Sequence, residues 1–203
     1  VPYSYGIQAS DVGPSFSVPG FGADCFACLS TVRWERQGLH DLNADGRLYD
    51  KTASELDALH ANGPEVGADA AALAQRALSR ILQACHDRKL THHQAVMMKL
   101  GELIAYAETA AVFCKEAAGD ALSEAVRFDQ ETWRAMSRIH ARTAAGWVAS
   151  EGLALVAGCS DVDAVGLVDA LDLRAIAQAQ KGMIADMDLV AGKLAAAFPA
   201  EPA

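Results

Sequence analysis

From Asp69 to nearly the end of the chain, apolar residues return every three or four positions with little interruption. That spacing belongs to the α-helix. Hydrophobic residues make up 52% of the sequence but aromatics only 6%. Much of the difference is alanine, the strongest helix former. The pattern predicts helices at about 69–88, 92–117, 120–157 and 171–197, with a further short piece near 161–168. Four long helices joined by short links imply an all-α chain built on an antiparallel four-helix bundle. Its 203 residues are enough for one domain with a real core.

The chain before the bundle has a different composition. Residues 1–21 are rich in Pro, Gly, Ser and aromatics, and read as an extended arm or linker. Asp24 to Gln37 is a candidate helix, with Asp24 as N-cap and Gly38 closing it. A polar loop follows at 41–50. Lys51 to Ala61 reads as a short helix, ended by Asn62-Gly63-Pro64, so the bundle carries one or two short extra helices and an irregular N-terminal arm. The expected organisation is thus an arm (1–21), short helices and a polar loop (22–67), and a helical bundle (68–203).

Charge narrows the partners. The net charge is −9 and the pI is near 5.0, so a nucleic-acid backbone would be repelled. Peripheral contact with an anionic membrane is disfavoured for the same reason. No apolar run approaches the ~20 residues needed to span a bilayer. The start, VPYSYGIQAS, has neither the basic nor the apolar region of a signal peptide and carries no initiator methionine. A processed chain, or one domain of a longer polypeptide, is expected. The five cysteines (25, 28, 85, 114 and 159) are odd in number and scattered. They argue against a disulfide framework and for a reducing, cytoplasmic setting.

Helical faces locate the candidate chemistry. In the last helix Leu173, Ile176, Met183, Ile184, Met187, Val190 and Leu194 fall on one side, which predicts a core-facing stripe. In helix 120–157 the stripe is Trp133, Met136, Ala144 and Trp147. Core packing is the default use of both. In helix 92–117, Lys99, Glu102, Tyr106, Thr109 and Glu116 gather on the expected solvent side. Glu108 lies nearly opposite, among Met97, Gly101, Ile104 and Ala111. A lone buried carboxylate is costly unless paired. His140, between Met136 and Trp147, is the candidate partner. The pair is either structural or a general base and its helper on a hydrophobic ligand held between helices.

Short motifs add little. Asp41-Leu-Asn43-Ala-Asp45-Gly46-Arg47-Leu48 copies the first eight positions of an EF-hand loop, with oxygen ligands at Asp41, Asn43 and Asp45. Position 12 is Thr52, so the bidentate carboxylate is missing, and Asp, Asn and Gly also suit a plain turn. Cys25-Phe-Ala-Cys28 lacks a second ligand pair for zinc, and a redox role would need a βαβ context. His92 and His93 are adjacent and cannot share a helical face. A di-iron bundle would need two Glu-x-x-His motifs; the nearest match is the single Asp57-Ala-Leu-His60. No nucleophile elbow, Walker loop or dinucleotide fingerprint is present.

One stretch carries a family resemblance. Residues 77–118, ALSRILQACHDRKLTHHQAVMMKLGELIAYAETAAVFCKEAA, resemble the helical hairpin of acyl-CoA dehydrogenases, through Gln94, Lys99, Leu100, Glu108 and Ala110. ARTAAGWVASEGLALVAG (141–158) resembles that family's next long helix. The family's Gly-Tyr, Arg-Asp-x-Arg and Glu-Gly-Thr segments, its N-terminal helical domain and its middle β-domain have no counterpart here. The resemblance is closest to the extra C-terminal helical domain of the very-long-chain class. It implies no catalytic residue and no flavin pocket within this chain, with FAD carried by a partner subunit or domain. It further implies oligomerisation or docking to a larger flavoprotein. Three expectations follow: a non-catalytic domain of such an assembly, a small helical enzyme using Glu108 and His140, and a calcium-responsive module around residues 41–52.

Overall fold

The computed structural model describes residues 46–119, 128–159 and 165–197. The arm 1–21, the helix expected at 24–37 with Cys25 and Cys28, and the candidate ligands Asp41, Asn43 and Asp45 lie outside the described residues. Among the described residues the protein is all-α. The helices are α1 (Arg47–Asn62), α2 (Ala68–Asp87), α3 (Gln94–Ala118), α4 (Gln130–Cys159), α5 (Val165–Ala170), α6 (Leu173–Ala179) and α7 (Met183–Ala197). Single 3₁₀ turns at Pro64–Val66 and Leu90–His92 join α1 to α2 and α2 to α3.

Two boundaries differ from the expected ones for identifiable reasons. The third long helix was expected to begin at 120, but α4 begins at Gln130. Asp129 caps it: one carboxylate oxygen accepts from the Thr132 amide at 2.9 Å and from the Thr132 hydroxyl at 2.8 Å. The helix expected over 171–197 is divided. Gly182 has φ 87°, a left-handed conformation that ends one helical stretch and redirects the chain into the next.

Cross-helix contacts give the topology. α1 runs antiparallel along α2, with Arg76 paired to Asp57 and Arg80 3.6 Å from Asp50. α3 runs antiparallel to α2: Gln75 Nε2 donates to the Ala107 carbonyl at 2.9 Å, and Cys114 Sγ donates to that of Val66 at 3.4 Å. α3 is also antiparallel to α4, since Lys99 lies over Trp147 while Phe113 meets Trp133. It follows that α2 and α4 run parallel, and they are in direct contact. Ser137 Oγ donates to the Val66 carbonyl at 2.9 Å. A Cβ on Gly67 would come 2.8 Å from Arg138 Cα, and one on Gly152 would overlap the Ile81 side chain. Residues 66, 67 and 81 thus face 137, 138 and 152, a constant separation of 71 positions.

Small side chains permit this approach. Ala71, Ala74 and Ala77 of α2 and Ala141, Ala144, Ala145 and Ala149 of α4 are fully buried or nearly so. Alanines and one glycine bring helix axes close at low conformational cost. Leu56, Leu78, Ile81, Leu100, Leu103, Val148 and Val156 supply the larger core volumes. Ile176 of α6 and Leu167 of α5 extend the cluster. α7 does not join it.

Candidate functional site

The structure separates the two residues that the sequence offered as a pair. On α3, Tyr106 and Glu108 are two residues apart and therefore point to nearly opposite sides. Tyr106 faces α4, with its ring 6.3 Å from that of His140 and 5.7 Å from that of Trp147. Glu108 lies on the side of α3 that carries Lys115, whose ammonium is 3.1 Å from Glu55 of α1. Among the described residues no hydrogen bond or ion pair joins Glu108 to His140. Burial pushes the Glu108 carboxyl above its ordinary range, and the charge of Lys115 opposes this in part. Burial pushes the His140 imidazole down, so it is neutral at neutral pH. Its Nε2, like Trp147 Nε1, is buried without a hydrogen-bond partner among the described residues.

His140 belongs instead to an aromatic seam. Lys99, Tyr106 and Phe113 recur every seven residues on α3; Trp133, His140 and Trp147 do the same on α4. Run antiparallel, the two series interleave. Phe113 lies 4.6 Å from Trp133 and 6.1 Å from His140, centroid to centroid, and the Lys99 ammonium sits 5.1 Å above Trp147. Lys99 also bridges Glu151 at 2.8 Å and Glu102 at 2.9 Å. These bonds, that to Glu151 foremost, raise its pKa. Tyr106 and Lys99, expected on the solvent side, are half-buried here, while Glu102, Thr109 and Glu116 remain exposed. The seam is packing between two helices.

The other polar centre lies between α4 and α7, and the sequence reading missed it. Asp186 is the one buried residue of α7. Its carboxylate accepts from Arg138 Nη2 at 2.6 Å and from Arg138 Nε at 3.0 and 3.1 Å, and it also pairs with Arg142. Other donors of the two arginines are used as well. Arg138 reaches the Glu65 carbonyl at 2.6 Å and Glu131 at 2.9 Å, and Arg142 Nε reaches the Ala179 carbonyl at 2.9 Å. Burial acts to raise the Asp186 pKa, but the bonds from the two guanidinium groups outweigh it and hold the carboxyl below its ordinary range. At the far end of α7, Lys193 meets Asp129 at 2.6 Å. The signal was visible as arginines four apart on α4 and an aspartate inside an apolar helix.

This clamp fixes which way α7 faces, and corrects the expected core stripe. Asp186 and Lys193 point at α4. Ile184, Met187 and Leu194, on the other side, are 70%, 40% and 39% exposed. With Ala191 they recur at intervals of three, four and three residues, the spacing of a helix-packing seam.

Thr52, at the twelfth position of the calcium-loop pattern, lies inside α1, and its hydroxyl donates to the Leu48 carbonyl at 3.2 Å. No cluster of three or more His, Cys, Asp or Glu side chains poised for a metal exists among the described residues. Among them, no helix is long and apolar enough to cross a membrane. Comparison with protein-family models, with curated proteins and with solved structures finds no match.

Proposed function

We propose that this chain is a non-catalytic docking module that assembles with a larger protein subunit through the outer face of α7. The observation that carries this reading is the inverted helix. α7 turns Asp186 to its own bundle and Ile184, Met187 and Leu194 away from it. Exposed apolar side chains in a row mark interaction surfaces. Covering these three would release about 3 kcal/mol at the usual worth of a buried aliphatic side chain. Association alone costs about 4 kcal/mol or more. Two α7 helices packed face to face would bury both sets, about 6 kcal/mol, little above that cost. A larger partner subunit, adding contacts beyond these three side chains, meets the requirement with more to spare.

The resemblance over 77–158 suggests the class of that subunit: a flavoprotein of the acyl-CoA dehydrogenase type, which would carry FAD and the catalytic residues. Native mass spectrometry of the chain purified from its source cells tests this. A complex of this chain with an FAD-bearing subunit, lost in Ile184→Asp/Leu194→Asp, is the expected result. A colourless species of this chain alone, unchanged by the substitutions, would contradict it.

A further inference from the structure

Two cysteines close the packed stripes of α2 and α4. On α2 the buried stripe Ala74, Leu78, Ile81 ends at Cys85, which is fully buried. On α4 the stripe Ala145, Val148, Gly152, Val156 ends at Cys159, the last residue of the helix, whose thiol is free and exposed. The parallel register that sets Ile81 against Gly152 places Cys85 level with Val156 and Cys159 one helical turn beyond. We propose that Cys85 and Cys159 form a reversible intramolecular disulfide that pins the end of α4 to the end of α2.

The chemistry is directional. Cys159 is exposed and reacts first with a hydroperoxide: its sulfur takes one peroxide oxygen to become a sulfenic acid, and water or an alcohol leaves. The Cys85 thiol then attacks that sulfur and a second water leaves, forming the S–S bond. A thiol reductant reverses the link by exchange. The two thiols already sense each other. Burial first, and then the nearness of Cys159, push the Cys85 thiol up to about 11. Cys85 is consequently almost wholly protonated at neutral pH and a slow nucleophile while packed. The second step waits for the last turn of α4 to loosen, which also supplies the movement that closes the one-turn offset to disulfide range. Cys114 takes no part, being buried between Ser137 and the Val66 carbonyl.

The test uses the full chain with Cys25→Ser and Cys28→Ser, which leaves three thiols. The protein is treated with hydrogen peroxide, digested with trypsin without reduction, and mapped by mass spectrometry. The expected product is peptide 81–88 joined to peptide 143–174, absent in Cys159→Ser, retained in Cys114→Ser and reversed by dithiothreitol. The linked protein should also melt several degrees higher, since the bond restricts the unfolded chain. Sulfinic acid at Cys159 with Cys85 still free would overturn the proposal. So would disulfide dimers through Cys159, or a link that lowers the melting temperature.

Discussion

Glu108 and His140 show how far a residue can be read without its neighbours. That Glu108 is shielded from water was legible from the helical wheel. Its separation from His140 was not, because periodicity gives a face but not the helix that meets it. The structure makes Glu108 a cost. Its folded pKa is raised, so the fold favours the protonated form, and stability falls as pH rises through the folded value. Glu108→Gln should therefore raise the melting temperature at pH 7, and the gain should vanish near pH 4; a loss at pH 7 would mean that the carboxylate has a partner. His140 has the opposite dependence. Its folded pKa is depressed, so it destabilises the protein as pH falls below the ordinary histidine value of 6.5. His140→Phe, which keeps the ring in the seam, should flatten thermal stability between pH 5 and 7. An unchanged pH profile in His140→Phe would contradict that assignment.

At the scale of elements, the sequence placed α2 and α3 to within about two residues and found α1 and α5, but it set the start of α4 too early and read α6 and α7 as one helix, for physical reasons. The start of α4 is set by the Asp129-x-x-Thr132 cap, a signal that strong helix propensity on both sides concealed. α7 was oriented by its apolar residues, although one buried ion cluster outweighs them. Removing Asp186 leaves the half-buried Arg142 guanidinium without its carboxylate and Arg138 with only the exposed Glu131. Asp186→Ala should cost about 2–3 kcal/mol and release α7 from α4, seen as faster amide exchange in 183–197. Because the Asp186 pKa is lowered, this contribution is present above the ordinary aspartate value of 3.8 and is lost as pH falls below it. The α2–α4 contact makes a second prediction. Gly152→Ala would force a methyl group into Ile81 and should destabilise by about 1–3 kcal/mol. Ile81→Val, which removes one methyl group there, should recover part of the loss, and a strictly additive double mutant would count against the register.

For the whole molecule, the all-α class followed from composition and period alone. The parallel α2–α4 contact did not, because alanine gives no hint of which helix it will meet. The picture is a tight alanine-lined bundle of α1 to α4, extended by α5 and α6, with α7 clamped on by charge and facing outward. Its central claim is that the outer face of α7 is an assembly surface. The most direct test compares the wild-type chain with Ile184→Asp/Leu194→Asp, measuring melting temperature and native mass on protein from its source cells. The account predicts an unchanged melting temperature, since neither side chain is in the core, together with loss of the proposed larger assembly. A melting temperature lowered by several degrees, or a native mass that does not change, would show that this face belongs to the fold or to nothing at all.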